Sequence, residues 1–250
     1  MDHILGIDIG GSGIKGALVD LTLGEFATDR IRIPTPEGFT MNEVSAVIGE
    51  MARSFDYSGK IGVGFPAPVR LTDGVVLADP TAHHHPGWKG ESASAAFSEA
   101  AGCEVTVVND ADAAGLAEAK FGAGMGIQGT ILVLTLGTGV GSGLIYNGQL
   151  VPNTELGKLY LKNHPDFSEQ YMAGRIKEEQ DLSYEVWGNR LNEYLIHVKR
   201  LFDPQMIILG GGISKKFDKY SEYIDIDTTV IPATLRNKAG IIGAAAAAIQ

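Results

Sequence analysis

Cysteine is almost missing from this chain, which has only Cys103. One thiol closes no disulfide and builds no cysteine cluster for structural zinc. Long apolar runs are missing too. No stretch approaches the ~20 residues that cross a bilayer, and the Ala-rich C-terminal segment reads as a packed helix. The opening M-D-H-I-L-G-I-D has no basic patch, apolar run and cleavage site of the secretory kind. A cytoplasmic protein is expected. Positive charge is scarce, with 20 Lys and Arg against 30 Asp and Glu, a net charge of −10. That balance disfavours nonspecific binding to nucleic acid or anionic membrane, and neither is expected as a partner. A local basic patch can still hold a small anion.

Glycine, in contrast, is abundant: 33 of 250 residues, with no collagen-like period. The glycines gather at the ends of apolar runs, where they permit tight turns and close approach of backbone to ligand. His3–Ile9 reads as a strand that includes Asp8. Gly10–Gly16 follows as G-G-S-G-I-K-G, and β-type residues resume at Ala17–Asp20 and Phe26–Ile33. The order strand, glycine turn, strand excludes the phosphate loop and the dinucleotide fingerprint, both of which run into a helix. Backbone N–H groups of such a hairpin can still meet phosphate oxygens, with Ser12 and Lys15 as side-chain donors. The same order recurs at Thr130–Leu136, G-T-G-V-G-S-G at Gly137–Gly143, and Leu144–Tyr146, closed by a hairpin turn at Asn147–Gly148. The repetition suggests an internal duplication, with two hairpins that could clamp a chain of phosphates.

A third signal lies at Val107–Gly124. The apolar run Val105–Val108 ends in Asn109-Asp110-Ala111-Asp112, and small residues with helical spacing follow. Open α/β folds bind ligands at such strand ends. Asp110 can act as a general base toward a substrate hydroxyl. Equally, Asn109 or Asp110 can simply cap the helix.

Elsewhere the pattern predicts helices over Met41–Phe55, Gly90–Ala101 and Tyr184–Leu201. The last has an apolar stripe at Trp187, Leu191, Tyr194, Leu195, Val198 and Leu201. Gln205–Leu209 reads as a buried strand that meets G-G-G-I-S at Gly210–Ser214 and then a helix start at Lys215–Lys219, a setting suited to phosphate. His83–His85 lies in a Pro/Gly loop. Three adjacent His residues in extended chain point to alternating sides and do not readily share one ion.

Five motifs stand in order: D-I-G-G-S-G at Asp8–Gly13, N-D-A-D at Asn109–Asp112, L-T-L-G-T-G at Leu134–Gly139, L-G-G-G at Leu209–Gly212, and A-G-I-I-G-A-A at Ala239–Ala245. Together they resemble the sugar-kinase, actin and chaperone-ATPase superfamily, and within it the ROK family of sugar kinases. P-N-T-E-L-G at Pro152–Gly157 and G-G-G-I-S-K-K-F-D-K at Gly210–Lys219 point to its polyphosphate-using glucose kinases. The resemblance covers nearly the whole chain. It implies an α/β fold of two actin-like (ribonuclease H-like) domains around a central cleft. The first domain would span 1–108, with a C-terminal helix at 238–250 returning to it, and the second 109–237.

The implied activity is transfer of a phosphoryl group from polyphosphate or ATP to the 6-hydroxyl of glucose or a related hexose, with Mg²⁺ and no structural zinc. Asp110 would be the base. Asn109, Glu155, Lys158 and Glu169 would meet the sugar. Asp8 would orient Mg²⁺ through water. Gly10, Gly11, Ser12, Gly13, Lys15, Thr135, Gly137, Thr138, Gly139, Gly210, Gly211, Gly212, Lys215 and Lys216 would line the phosphate or nucleotide path. A homodimer is the family expectation. The chain departs from the family where E-x-G-H becomes E-L-G-K at Glu155–Lys158. A neutral His both donates and accepts, whereas Lys only donates and adds a full charge. That exchange leaves open a different or acidic sugar, or a catalytically silent sugar or phosphate sensor.

Overall fold

The protein is described here by a computed structural model, which describes residues 3–80 and 86–250; His83–His85 lies outside them. The chain divides into two compact units, Met1–Ala117 with Asn237–Gln250, and Glu118–Arg236.

In the first unit β1 (Ile4–Gly10) turns back into antiparallel β2 (Gly13–Asp20). The sequence predicts one strand over Phe26–Ile33, but two short strands form, β3 (Glu25–Phe26) and β4 (Ile31–Ile33). Both pair with β2. They part because the Thr28 hydroxyl accepts the Leu18 amide at 3.1 Å, so a side chain interrupts the ladder between them. Next come α1 (Met41–Ser54), with a Thr40/Glu43 capping box, and β5 (Ile61–Phe65), parallel to β1. A small hairpin, β6 (Val69–Arg70) with β7 (Val75–Val76), leads to α2 (Ala93–Ala101). This helix starts later than its composition suggests because Ser92 caps it, accepting the Ala95 amide at 3.2 Å. β8 (Val105–Asn109) then pairs parallel with β5 and runs straight into α3 (Asp110–Phe121). The sheet order is β3-β2-β1-β5-β8, with β4 also on β2. Leu5, Ile7, Val63 and Phe65 enter a core with Val44, Ile48 and Met51 of α1 and with Phe97 and Trp88. The Trp88 indole donates to the Phe39 carbonyl at 2.9 Å, so the largest core ring leaves no buried N–H unmet.

The second unit repeats the scheme. β9 (Thr130–Leu136) and β10 (Val140–Tyr146) form an antiparallel hairpin, and β11 (Gln149–Val151) follows across Asn147 and Gly148. Both turn residues have positive φ, 49° and 79°, as a tight hairpin requires. Short helices α4 (Glu169–Met172) and α5 (Gly174–Glu179) precede α6 (Tyr184–Phe202). Trp187, Leu191, Tyr194, Leu195 and Val198 are buried as their spacing predicts. Leu201 instead is exposed, and Phe202 makes the last core contact of the helix. β12 (Met206–Gly210) lies parallel to β9, and β13 (Thr229–Pro232) parallel to β12. The order β11-β10-β9-β12-β13 matches that of the first sheet strand for strand.

After β12 the sequence predicts a helix at Lys215–Lys219. The structure has 3-10 turns over Gly212–Lys219 and Ser221–Tyr223, broken at Lys216. Phe217, Tyr220 and Tyr223, on the two 3-10 turns and the junction between them, join the core, and this packing outweighs an α-helical start.

The chain ends in α7 (Ala239–Ala247), which belongs to the first unit. Its contacts explain the glycines of the sheet beneath it. A Cβ on Gly6 would fall 2.1 Å from the Ile241 carbonyl oxygen, one on Gly62 1.8 Å from that of Ala244, and one on Gly243 1.7 Å from that of Ala113. The backbone of α7 therefore rests directly on strand backbone at Gly6 and Gly62, and on that of α3 at Gly243.

Candidate active site

The first unit gathers its predicted residues at the C-terminal ends of parallel β1, β5 and β8. Asp8 lies on β1, Gly10, Gly11, Ser12 and Gly13 form its turn, and Lys15 lies on β2 directly opposite Asp8. Two strands away, Phe65 of β5 pairs with Asn109 of β8, and the Cα of Asp110 would be 3.8 Å from a Cβ on Gly64. Gly64 is in turn the register partner of Asp8. Asn109 is the cap that its position suggests: its Oδ1 accepts the amides of Ala111 at 3.0 Å and Asp112 at 3.1 Å. With that cap supplied, Asp110 opens the helix as a half-buried carboxylate whose Oδ1 accepts the Ala111 amide at 2.7 Å. Asn109 and Asp110 thus share the first free amide of the helix, and Asn109 alone also takes the Asp112 amide.

Lys15 Nζ stands 4.0 Å from the Asp8 carboxylate. Burial pushes the Asp8 carboxyl above its ordinary value of 3.8, while Lys15 and Arg30 pull it back. Among the described residues no group of three or more His, Cys, Asp or Glu is placed to hold a metal ion. Magnesium needs no such cage, since it keeps several waters and takes one or two carboxylates plus substrate phosphates. A single carboxylate at the foot of a glycine turn fits that mode.

The second unit brings its own set together. Thr135, one residue before the end of β9, lies beside Gly210 of β12, and Gly137–Gly139 forms the hairpin turn. Gly211 has φ 84°, and a Cβ there would lie 2.3 Å from the Leu136 carbonyl oxygen, so only glycine lets the two turns touch. Lys215 and Lys216 are exposed in the 3-10 turns that follow. Glu169, expected to meet the sugar, reaches the glycine turn: its Oε2 accepts the Val140 amide at 3.4 Å and would lie 2.9 Å from a Cβ on Gly139.

Glu155 precedes and Lys158 ends a 3-10 turn, Leu156–Lys158, clipped to β10. The Ser142 hydroxyl donates to the Thr154 carbonyl and accepts the Leu156 amide at 3.1 Å. The Ser168 hydroxyl donates to the Gly157 carbonyl at 2.9 Å, tying this turn to the residue before Glu169. Lys158 Nζ pairs with the Glu155 carboxylate at 2.9 Å. The lysine that replaces the family histidine therefore answers a carboxylate of its own chain.

Three functional or supporting residues escaped sequence reasoning. The Arg32 guanidinium donates to the Ser12 carbonyl, on the first glycine turn. Arg175 Nε donates to the Thr138 carbonyl at 2.6 Å, on the second. Glu118, buried, accepts the amides of Ala123 at 2.9 Å, Thr234 at 3.2 Å and Leu235 at 2.7 Å, and so fixes the loop after β13. The arginines carried no motif signal, because their role depends on strand pairing and on the fold of α5. Glu118 lies within the stretch Val107–Gly124, but two of its partners are amides of the chain's last third, which local pattern does not reveal.

The ROK family profile matches residues 4–162. The chain is 42% identical over 248 residues to a polyphosphate glucokinase of Mycobacterium tuberculosis, covering 99% of this chain and 91% of that protein. A second polyphosphate glucokinase, from Mycobacterium leprae, is 42% identical over 243 residues, 97% of this chain and 73% of its own length. Among solved structures, the inorganic polyphosphate/ATP-glucomannokinase of Arthrobacter sp. strain KM superposes with a TM-score of 0.89 at 40% identity, covering 100% of this chain and 99% of that one. The ROK family glucokinase of Streptomyces griseus shares the fold, with a TM-score of 0.80 at 23% identity over 98% of each chain. Ordered motifs, a duplicated sheet and these similarities agree, and the chain belongs to the ROK family, with the actin-like fold of its sugar kinases.

Proposed function

We propose that this protein is a phosphotransferase that moves a phosphoryl group from polyphosphate or ATP to the 6-hydroxyl of glucose. One observation carries the reading furthest: Asp110 stands as a half-buried carboxylate at a strand end, beside the helix cap Asn109, in a chain 42% identical to polyphosphate glucokinases. In the proposed reaction the sugar oxygen attacks the terminal phosphorus of the donor. The O–H proton passes to Asp110, and the bond from phosphorus to the bridging oxygen breaks. ADP or a shortened polyphosphate leaves. Such a transfer needs positioning and charge neutralisation more than covalent chemistry. Asn109 offers its Nδ2 donors and Glu155 its carboxylate to the other sugar hydroxyls, while Lys158 holds Glu155. Glu169 touches the second glycine turn and serves that turn as well as the sugar. The turns at Gly10–Gly13 and Gly137–Gly139 supply N–H donors, with Ser12, Lys15, Thr135 and Thr138 around them. Gly210–Gly212, Lys215 and Lys216 extend the path for the donor. Asp8 would hold magnesium, and the ion would supply charge neutralisation on the donor phosphates.

The Lys158–Glu155 pair favours a neutral sugar over an acidic one, since its ammonium already has a carboxylate. Mannose belongs in the acceptor panel beside glucose because a relative of 40% identity is a glucomannokinase. Family resemblance supports a homodimer, and the single cysteine fits a cytoplasmic enzyme; light scattering coupled to gel filtration checks the former.

The test is a phosphoryl-transfer screen of ATP and polyphosphate against a sugar panel. Wild type phosphorylates glucose, and Asp110→Asn lowers kcat by about 10²–10⁴-fold with the fold intact by circular dichroism. Absence of turnover with every donor and sugar would leave a silent sensor and sink the kinase reading.

A further inference from the structure

Three side chains line up across the first sheet. Asp8 of β1 is the register partner of Lys15 of β2, and Lys15 is the register partner of Arg32 of β4. Directly opposed residues on neighbouring strands project to one face. The row therefore reads carboxylate, ammonium, guanidinium, and it ends at the glycine turn. Lys15 has its counter-charge in Asp8 at 4.0 Å. Arg32 has none: among the described residues no carboxylate forms an ion pair with it. Its one hydrogen bond goes to a carbonyl, that of Ser12, and its side chain is exposed. It lies flat against the turn, where a Cβ on Gly13 would meet Nε at 2.5 Å. Two cations directly opposed on paired strands repel each other, so the local fold gains nothing from this arrangement. An anion at the turn would reverse the sign of that interaction.

An arginine that meets the glycine turn of the second unit sharpens the point. Arg175 also donates to the carbonyl of the hydroxyl residue before the last glycine of its turn. Its other nitrogens, however, are engaged by Glu179 at 3.1 Å and by Gln170. Arg175 is held as a brace. Arg32 meets the matching carbonyl through Nη2 and keeps its remaining N–H donors unspent.

Resting on the kinase reading above, we propose that Arg32 is a binding residue for the phosphoryl donor. It fastens the Gly10–Gly13 turn through Ser12 and turns its remaining donors, beside Lys15, to a chain of phosphates. A guanidinium suits this task because its planar fork matches two phosphate oxygens at once. The ligand chemistry is a linear run of phosphoanhydride-linked phosphates, whether on a nucleotide or in inorganic polyphosphate.

The test uses the full chain with Arg32→Ala, Arg32→Gln and Arg32→Lys. Donor KM is measured separately for ATP and polyphosphate at saturating glucose, and glucose KM at saturating donor. Calorimetric titration with tripolyphosphate alone, without sugar, runs in parallel. The expected result is a donor KM raised about tenfold or more in Arg32→Ala and Arg32→Gln, the loss of one charge-assisted contact, with glucose KM within about twofold. Arg32→Lys recovers part of that loss. Tripolyphosphate affinity falls in step. An effect confined to polyphosphate assigns Arg32 to the inorganic chain, one confined to ATP assigns it to the nucleotide, and both support the proposal. Donor KM values and tripolyphosphate affinity unchanged in Arg32→Ala and Arg32→Gln would overturn it. Weakened tripolyphosphate binding in a protein that turns over no sugar would keep Arg32 as an anion site and reject the kinase reading instead.

Discussion

The two units carry the same sheet order and the same glycine hairpin, yet they finish them with different materials. In the first, the second face of the sheet is built from Gly6 and Gly62, and α7 lies backbone on backbone upon it. In the second, Ile131, Val133 and Ile208 fill the corresponding space with Ala119. The turns differ as well. Gly10–Gly13 is flanked by Lys15 and an arginine without a carboxylate, while Gly137–Gly139 is braced by Glu169 and a fully engaged Arg175. Duplication preserved what the backbone needs, namely strand order and tight turns. Charge and side-chain volume then diverged, so that one turn presents cations and the other presents a rigid frame.

The packing contrast is the one with the largest expected effect on stability. Ile208→Ala opens a cavity in the second unit and costs about 2–5 kcal/mol. Gly62→Ala overpacks the first and costs about 1–3 kcal/mol, because its Cβ meets a carbonyl oxygen that only a shift of α7 can relieve. Urea titration of both variants checks this; a Gly62→Ala protein as stable as wild type would show that α7 does not rest on that strand.

Arg175→Ala comes next. Removing the brace deletes bonds to Thr138 and Glu179 and lowers stability by about 1–2 kcal/mol, with kcat falling alongside. Arg32→Ala, exposed and singly bonded, leaves stability within about 0.5 kcal/mol. Thermal melts of the two variants side by side separate brace from ligand contact.

Lys158→Met tests the sugar side. The Glu155 pair is partly exposed, so its loss costs less than about 1 kcal/mol of stability. Freed from its partner, Glu155 is less well placed, and glucose KM rises about two- to fivefold with kcat nearly constant. A KM that stays fixed would mean that Lys158 has no hand in acceptor binding.

The smallest effect concerns pH. The Asp8 carboxyl titrates above its ordinary value of 3.8 in the folded chain. Folding therefore favours the protonated form, and stability is lost as pH rises through the folded-state pKa. Asp8→Asn removes that cost, so its melting temperature at pH 7 exceeds that of wild type, and the gain vanishes toward pH 3.8 and below. Activity falls at the same time, the mark of a carboxylate kept for function at the expense of stability. Equal pH–melting profiles for the two proteins would contradict the assignment.

Much of this was readable beforehand. The glycine hairpins, the Asn-Gly turn and the α6 stripe follow from period-two and period-3.6 patterns and from turn chemistry, all local properties. The strand–helix junction at Asn109–Asp110 was visible, but not which residue caps. That choice depends on where the Asn109 side chain turns when β8 joins β5. The helix start expected at Lys215–Lys219 is present as a kinked 3-10 helix, with Phe217 and Tyr220 claimed by a core assembled from distant α6. The single strand predicted over Phe26–Ile33 failed because Thr28 bonds a neighbouring strand, a contact with no local signature.

What the sequence determined alone was therefore a set of local pieces: ordered glycine turns, a carboxylate at a strand end, and a net charge of −10. Tertiary structure decided which charges meet. Lys158 and Glu155 are three residues apart, yet only the turn clipped to β10 by Ser142 places them 2.9 Å apart. Lys15 and Arg32 are seventeen positions apart and become neighbours only through strand register. Electrostatic interaction falls off with distance in space and is indifferent to separation along the chain. Local pattern can name the charged groups of a site, and only the fold can say which of them are already spent on each other.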